Sequence, residues 1–590
     1  LNLLLGAVLA AVLMTALGCE PRRSRSLTIN PIDEMSQKRS DLEQAIDMLA
    51  RMDEFERRPA TANVIAFLNT YLSDRKADKA WQPDPLVNQL PRNIRTTPQI
   101  LSLGRFDATS DDSMYLEEAL LLKQIGGWVT QQPLPAPMQA WLASRQDTLG
   151  PDDVADLSAA YLLFDWTIRN VLLVELPEQV RDEAAVPLGN SPDITQMPLP
   201  VARRGYPGPG YMAKPWHVVM LGHGDAWQRA RVFGLLCRQQ GLEVIQLATA
   251  DPSDANQLRP WVAALWLGDQ LYLFDTTLGL PLPTADGNGI ATFEEVRENP
   301  QLLRALDVGT DHLYDYSAAE TKSVTALLDA SVEALSQRMQ VLESGLVGDR
   351  QLRLTVDPSS QAERLRKLPG IANVMLWLAP IEASLFEEAL YDQRIVNMPP
   401  RQPLFEERLL LENRTIVSQA RYKHLRGVFS NSNERQGAKS LYIEARIPDA
   451  EIDSLGTNQR LQEQMGLLPQ LERMNSPQQQ AQFLESIKQR IRRGKQDCSY
   501  WLGIVHYESG NYDAAVNWFD QRTLQANPQG WWTGGARYNL GRCYEMLGAP
   551  GLAVEQYIAD DSPQQHGNLL RARRLEERKR QQAENAPPAQ

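Results

Sequence analysis

The chain has 590 residues, 60 of them Lys or Arg and 73 Asp or Glu, for a formal net charge of −13 at pH 7. That length implies three or four domains, and 43% hydrophobic with 23% charged residues is the composition of a globular chain able to bury cores. The acidic balance excludes a nucleic-acid binder, which carries a basic footprint, and reads as a solvated surface.

The first segment, "LNLLLGAVLAAVLMTALGCE", is apolar for about 17 residues, short of the roughly 20 that span a bilayer. Thr15-Ala16-Leu17-Gly18-Cys19 resembles a bacterial lipoprotein signal, with Ala16 where that pattern prefers leucine and no basic residue ahead of the apolar run. The resemblance implies a signal over residues 1–19, a lipidated Cys19, and a membrane-anchored protein of the cell envelope facing the periplasm or exterior. The polar "EPRRSRS" after Cys19 suits a tether. Cys237, Cys498 and Cys543 remain, too few and too scattered for a disulfide framework. No metal-ligand spacing appears and the six histidines are dispersed, so neither metal nor cofactor is expected.

Residues 20–150 read as a helical region. Leu42, Ile46 and Leu49, then Val64, Phe67, Leu68 and Leu72, recur at helical spacing on either side of Pro59. Helices are predicted over 113–129 and 153–176, around the Pro-rich "TQQPLPAPM". A proline- and glycine-rich segment over 177–215 is longer than ordinary loops; with Tyr206, Tyr211 and Trp216 along it, it reads as a cover over the next domain. Between 218 and 283 the pattern turns α/β, with a helix from Ala226 to Gln240 carrying Ala230, Phe233, Leu236 and Cys237 on one face. "EVIQLAT" and "WVAALWL" read as strands, and Gly268-Asp269 turns the second into "QLYLFDTT". Residues 286–455 form a mixed α/β region of unknown role. Its first part, 290–345, reads as helical, with capping boxes at Thr292/Glu295 and Ser317/Glu320, and short strands are predicted at "RLTV", "VMLWL" and "SLYIEARI".

The C-terminal part repeats. Residues 500–519 align with 537–557 at an offset of 38, matching Leu502 to Leu540, Gly503 to Gly541, Gly510 to Gly548, Ala515 to Ala553 and Phe519 to Tyr557. Such a period means stacked helical hairpins, with small residues for close helix approach and aromatics between. The pattern resembles tetratricopeptide repeats, lengthened around "NPQGWW", within a region spanning 456–580. The resemblance implies protein partners, with Tyr507 and Tyr544 as candidate contacts. "PQLERMNSPQQQAQFLESIKQRIRRGK" and "LLRARRLEERKRQQ" are expected to supply flanking helices. Their basic clusters read as solvated helix faces, with anionic lipid as the alternative. Residues 581–590 should be disordered.

Gly224-x-Ala226 at a helix mouth, the hairpin, and Phe274-Asp275-Thr276-Thr277 together resemble the transglutaminase-like (papain-like) core, and "FDWTIRNV" (164–171) resembles the helix that precedes it. Residues 151–285 would then form that domain within an α+β, mostly helical chain. The family places a cysteine at the helix mouth, where the macrodipole lowers its pKa; a histidine on the next strand acts as base, and an aspartate orients it. Here those positions hold Ala226, Arg259 and Asp275, and neither alanine nor arginine can perform the missing steps. Asp225 is a natural N-cap, and Asp275 is expected to brace the hairpin turn or pair with Arg259. The resemblance also implies a groove able to hold an extended peptide, with His223 and Trp261 as candidate contacts.

Three readings stand. One is a lipid-anchored, non-catalytic scaffold. Another is a thiol-dependent amide hydrolase or transferase in which Cys237 attacks with His217 or His223 as base. The third is a purely structural part of an envelope assembly.

Overall fold

The computed structural model describes residues 40–174, 213–390 and 415–584, apart from 147, 253 and 434. The signal with Cys19, its tether and the 177–215 cover up to residue 212 lie outside the described residues; of the expected disordered tail 581–590, residues 581–584 continue the last helix and only those from 585 lie outside.

Helix α1 (Asp41–Leu49) starts on a capping box between Ser40 and Glu43 and buries Leu42, Ala45, Ile46 and Leu49, the spacing of a single apolar stripe. Helix α2 (Arg57–Ser73) holds Pro59 in its first turn, where a missing N–H breaks no helical hydrogen bond. Helices α3 (Ser110–Val129) and α4 (Pro151–Asn170) come next. The prediction carried α4 on to residue 176, but the chain leaves the helix at Val171 and enters β1 (Leu172–Leu173). Helix α5 (Pro215–Leu221) ends on Gly222, whose φ of +73° is a left-handed cap that favours glycine. Strand β2 (His223–Gly224) then pairs in parallel with β1, bringing the opening of helix α6 (Ala226–Gln239) beside the end of α4.

A six-stranded sheet forms the centre. Its strands are β3 (Glu243–Asp251), β4 (Asp254–Leu267), β5 (Gln270–Asp275), β6 (Leu280–Pro281), β7 (Val324–Leu328) and β8 (Ile371–Leu376), in the order β6-β5-β4-β3-β7-β8. All neighbours are antiparallel except β7 and β8. The predicted tight turn closes with Leu267 opposite Gln270. Alternate residues serve different cores. Ala263, Leu265, Tyr272 and Phe274 meet α4 and α6, whereas Val262, Ala264, Leu271 and Leu273 pack with Leu86, Val87, Phe293 and Leu303 on the other face. This is the period of two expected of strands buried on both sides. Pro260, which has no N–H for the ladder, sits opposite the bulge at Leu247/Ala248.

Because β7 and β8 come from beyond residue 285, the predicted α/β domain and the mixed region share one sheet. Both capping boxes form, but the second opens a single helical turn (Ala318–Thr321) that gives way to β7 inside the stretch predicted as helical. "RLTV" is not a strand, and "SLYIEARI" is largely helix (Ala438–Glu444). Short apolar runs cannot be assigned by period alone. Here Leu441 and Tyr442 are buried on one side against Ala420 of helix α7 (Ile416–Leu425) and Trp501.

The C-terminal region is built of helical hairpins. Helix α8 (Pro477–Glu508) packs on α9 (Tyr512–Phe519), and α10 (Thr533–Met546) on α11 (Pro550–Ile558), with α12 (Gln565–Glu584) after them. The repeat spacing acts as predicted. A Cβ at Gly503 would lie 2.5 Å from the Phe519 ring, and one at Gly541 would lie 2.5 Å from the Tyr557 ring. Gly510 and Gly548 turn the two hairpins at φ +72° and +69°. The expected upstream flanking segment is a short helical turn (Leu468–Leu471) and then the first part of α8, which runs unbroken from Pro477 into the repeat. The fold is α+β with helix predominant, and among the described residues no helix is long and apolar enough to cross a membrane.

Candidate functional site

The mouth of α6 is built as its residues dictate. Asp225 caps the helix, its Oδ1 accepting from Gln228 N at 2.8 Å while Gln228 Oε1 accepts from Asp225 N at 2.9 Å. Ala226 stands next, 3% exposed, its carbonyl accepting from Thr276 Oγ1 at 2.8 Å. Behind it Phe164, Phe233 and Phe274 meet with ring centroids 5.0–5.3 Å apart, locking α4, α6 and β5 together. Helices α4 and α6 and strand β5 therefore converge here, with Ala226 at the helix mouth.

Asp275 is buried at the end of β5. Its Oδ1 accepts from the Thr277 and Leu278 amides at 2.9 and 2.8 Å, bracing the turn as expected, and its Oδ2 accepts from the Tyr314 hydroxyl at 2.6 Å. The expected pairing with Arg259 does not form. Ala263 is opposite Phe274 whereas Arg259 is opposite Thr249, so the arginine lies three residues beyond the end of β5, about 10 Å along the strand. Arg259 instead donates to the Asp315 carbonyl at 2.8 Å, lies 3.7 Å from Glu320 and stacks over Tyr316. Trp261 is no groove residue either: it is buried, and its Nε1 donates to the Tyr314 hydroxyl at 2.8 Å.

Burial raises the Asp275 pKa to about 6, against the lowering effect of those three hydrogen bonds. The native state thus binds a proton that the unfolded state releases between about pH 4 and pH 6, so this group makes stability fall as pH rises through that window. Asp275→Asn is expected to flatten the slope there, removing about 3 kcal/mol of stability change across the window, as read from denaturation midpoints at pH 4, 5, 6 and 7.

Cys237 lies about 16 Å down α6 from its mouth. It is 0% exposed, and burial pushes its thiol well above the ordinary value. His217 is buried on α5 with its ring 4.9 Å from Trp216, and His223 packs edge-on to Trp531 at 5.3 Å. No hydrogen bond joins Cys237 to either imidazole among the described residues, and a raised pKa is the opposite of what a nucleophile requires. Alkylation of Cys237 at pH 8, compared with Cys237→Ala, is expected to proceed only at the rate of unfolding.

The C-terminal helices close over the same place. Arg229 of α6, its pKa drawn down to about 9 by burial, donates to the carbonyls of Val171 (2.8 Å) and Thr276 (3.2 Å) and to Gln564 Oε1. Gln564 Nε2 in turn donates to the Leu278 carbonyl at 2.6 Å. Gly567, in the first turn of α12, approaches so closely that a Cβ there would lie 1.8 Å from the Leu278 oxygen. His566 and Arg573 fasten α12 to the carbonyls of Leu306 and Asp307, each at 2.8 Å. Residues 564–573 of the same chain are thus packed beside the helix mouth, on Arg229 and the turn after β5.

The inner faces of α8 and α10 are filled as well. Asp165 of α4 accepts from Arg169 Nε at 3.0 Å and from Arg542. Glu508 accepts from Asn170 Nδ2 at 2.7 Å and from His424 Nε2 at 3.1 Å, with Arg169 at 3.5 Å. Arg421 meets His424 Nδ1 at 3.0 Å. Since arginine only donates, Nδ1 must accept and the proton sits on Nε2; burial lowers the His424 pKa to about 4, so the ring is neutral. Tyr507, named as a partner contact, is buried under the Arg169 guanidinium at 4.6 Å, and Tyr544 is half-buried between two cores. Tyr507 is therefore not an open binding surface, whereas part of Tyr544 is accessible. Sequence reasoning missed this network. Its one local signal is Asp165 and Arg169, an i, i+4 pair followed by Asn170 in an apolar helix. No family model matches this chain, and neither a curated protein nor a solved structure matches it.

Proposed function

We propose that the chain is a non-catalytic, lipid-anchored scaffold of the cell envelope, in which a transglutaminase-like core without its nucleophile is held rigidly by tetratricopeptide-like hairpins. One observation carries this reading: the helix mouth presents a buried Ala226, and residues 564–573 are fastened beside it to Arg229 and the Leu278 carbonyl. A site built for turnover leaves the nucleophile position accessible to substrate; this one spends its polar groups on joining two parts of the chain. The cell-envelope location rests on the lipoprotein-like segment ending at Cys19.

With the inner face of the hairpins occupied, partner binding falls to their outer side, where Met546, Leu547, Leu552 and Ile558 are exposed. The test compares the chain with a Cys237→Ala variant for hydrolysis of peptides and for incorporation of an amine into a glutamine peptide. Equal background rates support the scaffold, and a rate lost with Cys237 returns the thiol enzyme.

A further inference from the structure

We propose that the cavity between the middle of α8 and the loop before α10 binds a small molecule through a doubly charged phosphate group. The cavity is about 310 Å³ and is lined by Arg446, Arg492, Lys495, Arg522 and Trp531, with one carboxylate, Asp449, among others, at the lower end of the size range of small-molecule sites. It is made where the hairpins depart from their own repeat. One wall is the part of α8 upstream of the repeated stretch. The other is the π turn Asp520–Leu524 with the "NPQGWW" insertion, and π turns inside helices recur at functional sites.

Its charge is unbalanced. Lys495 is matched by Asp449 at 2.7 Å, and Arg492 by Asp453 at 2.6 Å. Arg446 and Arg522 have no carboxylate within ion-pair distance among the described residues. Arg446 directs its Nε to Ser499 Oγ at 3.0 Å and stacks 4.8 Å over Trp518, which fixes its guanidinium at the cavity wall. Its pKa is lowered first by partial burial and then by the charge of Arg522, so the two cations repel across the space. An anion between them removes that repulsion, and guanidinium pairs suit phosphate oxygens through bidentate hydrogen bonds. Trp531, 49% exposed on the rim, offers a flat apolar face for the uncharged part of the ligand.

The test uses the full chain and inorganic pyrophosphate, titrated by calorimetry at low salt, with Arg522→Ala and, as a remote control, Arg366→Ala. Both side chains are exposed, so folding should be unaffected, which the unfolding midpoint checks. Arg522→Ala is expected to weaken binding at least tenfold, and Arg366→Ala to leave it unchanged. Flotation with phosphatidic acid against phosphatidylcholine vesicles separates the sources of phosphate: Arg522-dependent binding confined to the phosphatidic acid vesicles identifies a lipid headgroup. No binding of either probe, or equal weakening by both substitutions, overturns the proposal.

Discussion

Replacing Asp165 with alanine is expected to cost about 3–5 kcal/mol, the penalty for removing one partner from a buried ionic cluster. Asp165 lies between the Arg169 and Arg542 guanidiniums, with all three side chains at 11% exposure or less. Without it, Arg169 retains Glu508 only at 3.5 Å and Arg542 retains Glu545 only at 3.6 Å, and both lose their direct hydrogen bonds to Asp165. The cluster joins α4 to α8 and α10, so the loss should appear as hairpins that detach before the sheet melts. Urea denaturation followed by circular dichroism and tryptophan emission would then show two separated transitions in the variant. A change under about 1 kcal/mol would mean that apolar packing alone holds the two parts together.

The same cluster sets an acid limit. Burial alone would raise the Asp165 pKa, but Arg542 and Arg169 outweigh it and hold the carboxyl well below its usual range. Its contribution is therefore full above the unfolded value of about 3.9 and is lost as pH falls toward the lower native value. His424 acts in the same direction at milder pH. With its native pKa lowered to about 4 by burial, the unfolded chain takes up a proton below about 6.5 that the native ring refuses, so stability falls from there downward.

Cysteine placed at the helix mouth is expected to be inert. In a chain with Cys19, Cys237, Cys498 and Cys543 replaced by alanine, Ala226→Cys should react with iodoacetamide only when the helix mouth opens, because Ala226 is 3% exposed and residues 564–573 fasten the neighbouring Arg229 and Leu278. Adding Gly567→Ala should speed labelling by about tenfold to a hundredfold. The new methyl group meets a backbone oxygen that cannot rotate aside, overpacking of this kind costs about 1–3 kcal/mol, and each 1.4 kcal/mol is a tenfold change in the open population. Fast labelling of Ala226→Cys alone would show an accessible groove, and the extended-peptide reading would return.

The sequence by itself determined the local elements and their roles. Apolar spacing placed α1, α2 and α6, and glycine first in the turn placed the β4–β5 hairpin. The 38-residue offset identified the hairpins down to Gly503 on Phe519 and Gly541 on Tyr557. It also showed that the mouth of α6 holds alanine, because residue identity is legible without a fold. Each of these depends on residues a few positions apart, or on a repeated pattern.

Only the tertiary structure decided what faces what. It took Asp275 from Arg259 and gave it to Tyr314, since strand register set the two too far apart. It also made β7 and β8 part of the central sheet. Tyr507 and Trp261 proved buried, and residues 564–573 were set against Arg229 and the turn after β5. Asp165 meets Arg542 across 377 positions of sequence, and no periodicity carries such a pairing. The pairing comes from burial: once α4 and α10 bring charged groups out of water together, each must find an opposite partner or bear the desolvation cost alone.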